Sequence, residues 1–182
     1  MIGGDRQNAT THPLIRAERP EDHKAIARVV EAAFGRPSEA RLVELVRASE
    51  HYVPELALVA EDGGAIRGHV MFSYCWLNGE GAPRRVLCMA PVSVEPPYQR
   101  NGIGGKLIEE GLHIADARGE PLVHVLGHAA YYPRFGFRSA RSLGIEPPDP
   151  SIPDGVFMAK PLAGYHPAVR GRIEYPPAFQ ET

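Results

Sequence analysis

Val92-Ser93-Val94-Glu95-Pro96-Pro97-Tyr98-Gln99-Arg100-Asn101-Gly102-Ile103-Gly104-Gly105 joins an apolar, β-branched run to a helical repeat. Val86 to Val94, ahead of the turn, reads as a strand. Behind it, Ile103, Leu107, Ile108, Leu112 and Ala115 share one face of a helix, with Glu109, Glu110 and Asp116 opposite. A glycine turn between strand and helix gathers backbone N–H groups at the positive end of the helix dipole, where a phosphate can sit. Gly102 and Gly104 carry no Cβ to hold a ligand's oxygens off the backbone, and Arg100 adds a cation at the rim.

Spacing separates the phosphate-binding readings. A dinucleotide fingerprint needs a third glycine at 107, where the chain has Leu107, and a βαβ unit where the chain has a run of strands. A P-loop ending in Gly105-Lys106 needs glycine at 100 and Ser or Thr at 107, and has neither. The plain structural alternative is a turn that only reverses the chain.

Upstream of the turn, the pattern places two helices and four strands. Leu14 to Ala17 reads as a short strand. A helix opens at Pro20, buries Ile26, Val29, Val30 and Ala33, and stops at Gly35. Ser38 caps a second helix facing inward through Leu42, Leu45 and Val46. Leu56 to Ala60, Ile66 to Trp76 and Val86 to Val94, separated by Glu61-Asp62-Gly63-Gly64 and Asn78-Gly79-Glu80-Gly81, form an antiparallel meander. Downstream, Gly119 ends the helix, Pro121 to Leu126 is a buried strand and Phe157 to Leu162 another. Residues 144–182 hold eight of the 18 prolines, which limits regular structure there, although Val169 to Tyr175 alternates like an edge strand. The fold class is α+β: a mixed, mostly antiparallel central sheet flanked by helices. The division expected is a loose tail over 1–13, a domain over 14–162, and a C-terminal extension over 163–182 packed on it.

A formal net charge of -2 argues against a protein built to coat nucleic acid. Cys75 and Cys88, the two cysteines, lack zinc-site spacing and read as buried thiols of a reducing compartment. No apolar run is long enough to span a bilayer, and MIGGDRQNATTH has no signal-peptide core, so the expected location is the cytoplasm, with no membrane partner.

The turn Gln99-Arg100-Asn101-Gly102-Ile103-Gly104 resembles the acetyl-CoA-binding motif of the GNAT superfamily, Gln/Arg-x-x-Gly-x-Gly/Ala. Tyr132-Pro133-Arg134-Phe135-Gly136-Phe137 is similar to its second signature, a tyrosine followed four residues later by Gly-Phe. The element order matches over about 14–162. Ile173 to Phe179, Tyr131-Tyr132 and Leu126-Gly127 further resemble a subgroup of predicted bacterial N-acetyltransferases.

The resemblance implies acetyl-CoA as cosubstrate, with no metal. Its pyrophosphate would lie on the backbone of Gln99, Arg100, Asn101, Gly102, Ile103, Gly104 and Gly105. Val92 and Val94 would pair their backbone with the pantetheine arm. Tyr132 would be the general acid for the departing thiolate, with Tyr131 as its neighbour one register away. Attack by an amine needs a neutral nitrogen, so a base or a proton path is required. Glu95 is the candidate general base, Ser93 a relay, and His69, His124 and His128 the titratable alternatives; Cys88 would be a nucleophile only in a two-step transfer. The chain departs from the family at Val125 and His128, where many members carry Asn and Ala.

The function expected is direct transfer of an acetyl group to a primary amine on a small molecule, peptide or protein, by a monomer or homodimer. The rival class is a CoA-binding regulatory module without catalysis. A toxin-like transferase acting on charged tRNA would need a basic surface, and 20 Lys+Arg against 22 Asp+Glu give it no support beyond local clusters such as Arg84-Arg85.

Overall fold

The structure is a computed structural model that describes residues 13–180. The tail expected over 1–13 therefore lies, Pro13 apart, outside the described residues. The chain runs β1 (Leu14–Ala17), α1 (His23–Phe34), α2 (Ser38–Arg47), β2 (Tyr52–Asp62), β3 (Ala65–Asn78), β4 (Arg84–Val94), α3 (Ile103–Ala117) and β5 (Leu122–Leu126). Four shorter strands follow: β6 (Arg138–Ser139), β7 (Ile145–Glu146), β8 (Phe157–Pro161) and β9 (Gly171–Glu174). Among the described residues one sheet holds them all, in the order β1-β2-β3-β4-β5-β8-β6, with β9 joining β3 and β7 off that path. Only β4 with β5 and β7 with β9 run parallel, so the sheet is mixed and mostly antiparallel.

The helix expected from Pro20 begins at His23, after a single 3-10 turn over Pro20–Asp22. The Asp22 carboxylate accepts the Arg19 N–H at 2.8 Å and pairs with Arg16, which fixes the tight entry. The meander strands are longer than the apolar runs that announce them. β2 starts four residues before Leu56, and its register with β3 slips between Tyr52 and Ala57, around a Pro54 that has no N–H to give the ladder. β7 and β6, two residues each, carry too short a pattern to be read from sequence.

β4 decides where the core faces. Its register with β3 slips by one residue between the Val70–Val92 and Phe72–Met89 pairs, which brackets Pro91, another residue without an N–H for the ladder. The slip reverses the alternation of side chains. Leu87 and Met89 before it, and Val92 and Val94 after it, all pack on the α3 side of the sheet. Cys88 belongs to a different cluster, with Cys75, Leu122, Phe157 and Ile173. Helices α1 and α2 pack Ile26, Val29, Val30, Val43 and Val46 against Ala57, Val59 and Met71 of the sheet.

β4 and β5 pair through Leu87–Val123 and Cys88–His124. Beyond those pairs β4 runs on to Val94 with β3 on one side and without β5 on the other, which opens a gap in the sheet. α3 begins beside it. No helix among the described residues is long and apolar enough to cross a membrane.

α3 lies so close to β3 that a Cβ on Gly111 would stand 2.2 Å from Cε2 of Phe72, a fully buried side chain. Gly111→Ala gains about 1 kcal/mol of helix propensity, but overpacking a rigid core ring costs about 1–3 kcal/mol. The variant should therefore unfold at a lower denaturant concentration than the parent; a higher midpoint would show that α3 can slide off Phe72.

Candidate functional site

The glycine turn sits at the mouth of the gap. Gly102 is the N-cap of α3 with φ 81°, a conformation free to glycine, and Arg100 reaches φ 63° without that freedom. No side chain caps α3, and its first turn holds no acidic residue. The amides that a Ser or Asp would otherwise occupy are left for an anion.

Val94 closes the turn from the other side. Glu95 donates its N–H to Arg67 of β3 at 2.9 Å, so by the alternation of an antiparallel strand the backbone groups of Val94, and of Val92 two residues back, point away from β3 into the gap. The Gln99 side-chain amide donates to the Val94 carbonyl there, at 3.0 Å. Gln99 thus clamps the turn to the strand.

Val92, Val94, Gln99, Arg100, Gly102, Gly104, Gly105 and Tyr132 line one cleft of about 870 Å³. Asn101 is exposed and Ile103 is buried in the core, and neither is among the residues that line this cleft. A Cβ on Gly104 would lie 3.3 Å from the Tyr131 hydroxyl, so the cleft is narrow there.

Tyr132 opens a 3-10 turn, Tyr132–Phe135, and its ring is buried edge-on against Tyr131 at 5.3 Å and Phe137 at 5.8 Å. The ring fits because residue 127 is glycine: a Cβ there would stand 2.6 Å from the Tyr132 Cε2. Burial, then the neighbouring Tyr131 and Cys88, push the Tyr132 phenol up to about 12. It stays protonated throughout the neutral range. Arg134 stacks on the Tyr131 ring at 4.7 Å and lines the same cleft, as does His128.

Glu95 is placed elsewhere. Its carboxylate pairs with Arg67 at 2.8 Å, and it lines a second cleft with Arg16, Asp22 and Glu61 on the α1 side. His124 is buried in the sheet beside Cys88. Ser93 is also buried, and its hydroxyl donates to the His69 carbonyl at 3.3 Å.

His69 belongs to a buried hub centred on Glu18, whose side chain is 1% exposed. Glu18 accepts from Arg47 Nε at 2.7 Å and Nη2 at 3.1 Å, from Tyr52 Oη at 2.8 Å, and faces His69 Nε2 at 3.0 Å. The carboxylate joins the β1–α1 connection to α2, β2 and β3. Burial alone would raise the Glu18 carboxyl, but hydrogen bonds from His69 and Arg47 outweigh it and hold it well below the carboxylate range. Burial lowers the His69 imidazole more than Glu18 raises it, so the ring is neutral and donates from Nε2. No sequence spacing announces this hub, since Glu18 and His69 lie 51 residues apart. Leu126-Gly127 stands out in the sequence only as a likeness, and the need for room beside the Tyr132 ring is what its glycine serves.

An open sheet parted between two parallel strands, with a helix starting at the gap, is the GNAT architecture. Residues 14–140 match the family description "Acetyltransferase (GNAT) domain", and the chain belongs to that family. It is 40% identical over 116 residues to the uncharacterized N-acetyltransferase YjhQ of Escherichia coli K12, and the match spans 64% of each chain. The structure of the GNAT family N-acetyltransferase YhbS from Escherichia coli in complex with CoA is similar at TM-score 0.83 and 31% identity, covering 93% of this chain and 92% of that one. A GNAT family acetyltransferase from Brucella melitensis in complex with acetyl-CoA is similar at TM-score 0.75 and 34% identity, covering 92% and 98%.

The Glu18 hub makes stability depend on pH. Folding lowers His69 from 6.5 and Glu18 from 4.5, so unfolding takes up protons and acid favours the unfolded chain. Urea midpoints should be level above about pH 7, fall as pH drops through about 6.5, and fall again through about 4.5. Glu18→Gln, which strands the Arg47 charge, should cost about 3–5 kcal/mol at pH 7. A flat profile from pH 8 to 4 would remove both groups from the stability account.

Proposed function

We propose that the protein transfers an acetyl group from acetyl-CoA to a primary amine by direct attack in a ternary complex. The observation that carries this is the shared cleft: the uncapped start of α3, Val92 and Val94 with their inward backbone, and Tyr132 all line it. The CoA and acetyl-CoA held by the Escherichia coli and Brucella melitensis relatives support the same cosubstrate here.

In this reading the amides of residues 102–105 and the Arg100 guanidinium bind the pyrophosphate. Gln99 holds the turn against β4 so that the phosphates and the strand stay in register. The backbone N–H of Val92 or Val94 hydrogen-bonds the pantetheine arm and polarises the thioester carbonyl, a group whose charge grows during attack. Tyr132, protonated at neutral pH, donates a hydrogen bond to the departing sulfur and gives up its proton as the thiol forms. An alkyl thiol such as that of cysteine, with a pKa of about 8.5, is a stronger acid than the Tyr132 phenol, so the sulfur takes the proton only once it carries the full charge of the departing thiolate, and the proton released by the attacking nitrogen restores the phenol.

The attacking nitrogen must first lose a proton. Glu95 would have to leave Arg67 to accept it, whereas His128 stands in the cleft with Tyr132 as it is. We assign the proton to His128 or to water beside it.

Tyr132→Phe should lower kcat about 100-fold or more while leaving CoA affinity within about twofold, measured by thiol release with a panel of amines. Unchanged kcat would end the assigned acid role. Thiol release absent from every amine, with CoA still bound, would favour the regulatory module.

A further inference from the structure

On the face of the sheet away from α3, at the point where β4 and β5 part, three buried side chains meet that the transfer reaction does not use. The Cys75 and Cys88 thiols and a ring nitrogen of His124 all lie within 4.8 Å of one another. The sheet register assembles them. Cys88 is the direct partner of His124 across the parallel β4–β5 pair, and Cys75 lies diagonal to Cys88, because Ser73 is its partner on β3. Strand pairing brings them together over 13 and 36 positions, so their spacing carries no metal motif.

His124 is the anomaly that calls for an occupant. It is 0% exposed, yet neither Nδ1 nor Nε2 has a hydrogen-bond partner. Phe157 and Tyr175 flank its ring, each with centroids at 5.6 Å, so apolar faces hold it in place and satisfy nothing polar. A buried imidazole is normally paired. The Tyr175 phenol in turn bears on the Cys88 thiol.

We propose that Cys75, Cys88 and His124 form a zinc-binding site, with the Tyr175 hydroxyl available as a fourth ligand. Two sulfurs and an imidazole are the donor set that selects zinc over calcium or magnesium. Zinc–sulfur bonds of about 2.3 Å and zinc–nitrogen bonds of about 2.0 Å put tetrahedral ligands roughly 3.5–3.8 Å apart, so the three groups need close in by no more than about 1 Å. Binding forms two Zn–S bonds and one Zn–N bond, breaks the two S–H bonds, and releases two protons to solvent. Zinc(II) with two thiolates and a neutral imidazole carries no net charge, which suits a dry interior. The ion would tie β3, β4, β5 and the segment after β9 together at the apex of the gap.

The test uses the tag-free full-length chain, kept reduced, and dialysed against zinc. One zinc per chain by elemental analysis is expected, with a melting temperature raised by about 5 °C or more at saturation. Cobalt(II) in place of zinc should give thiolate-to-cobalt charge-transfer bands with the intensity of two sulfurs and the strong visible bands of a tetrahedral site. The chain has two cysteines, so these bands identify Cys75 and Cys88 without any mutation. Cys88→Ala and His124→Asn should each weaken zinc binding about 100-fold or more, while circular dichroism and CoA binding report that the fold persists. Less than about 0.1 zinc per chain in the parent would overturn the proposal, as would cobalt bound without charge-transfer bands. Full zinc uptake by folded Cys88→Ala would place the ion elsewhere and overturn it too.

Discussion

β4 and β5 hold each other at Leu87–Val123 and Cys88–His124 and then separate, and the layout of the site depends on that parting. A sheet that stayed paired would bury the inward backbone groups of Val92 and Val94 in a ladder. Because it opens, those groups face a cleft that also receives the start of α3. The register slip at Pro91 makes the opening compatible with a dry core, since it keeps Leu87, Met89, Val92 and Val94 on one face through a change of parity.

Groups that line the cleft are left unsatisfied by the protein itself. The amides at the start of α3 have no side-chain cap, and Tyr132 lies buried in an aromatic cluster that lines the cleft. Such features weaken a fold locally, and other parts must hold the frame. The Phe72 ring under Gly111 locks α3 to β3, and Glu18 ties the β1–α1 connection to α2, β2 and β3 through one carboxylate. Rigidity sits around the gap, and unmet hydrogen bonding sits inside it.

Much of this was written locally in the chain. Helix faces repeat every three or four residues and strand runs are β-branched, so β4, α3 and the glycine turn could be read directly, as could Tyr132 ahead of Phe135-Gly136-Phe137. What escaped is set by register or by distance. Gly127 accommodates a ring five residues on, Glu18 meets His69 across 51 residues, and Cys75 meets Cys88 only because Ser73 is the paired residue. Glu95 looked close to the site along the chain, yet alternation sends it toward Arg67 on the opposite edge. Sequence proximity follows the backbone, while side-chain neighbourhood follows the pleat.

Arg100 holds a left-handed backbone at φ 63°, a conformation costing a non-glycine residue about 1–2 kcal/mol. A glycine would relax that position but would delete the cation that the turn presents to solvent. The turn therefore trades folding free energy for charge placement. In a thermostabilised version of this chain, residue 100 is a poor place to seek gains, because the relief of strain and the loss of the cation arrive in the same substitution.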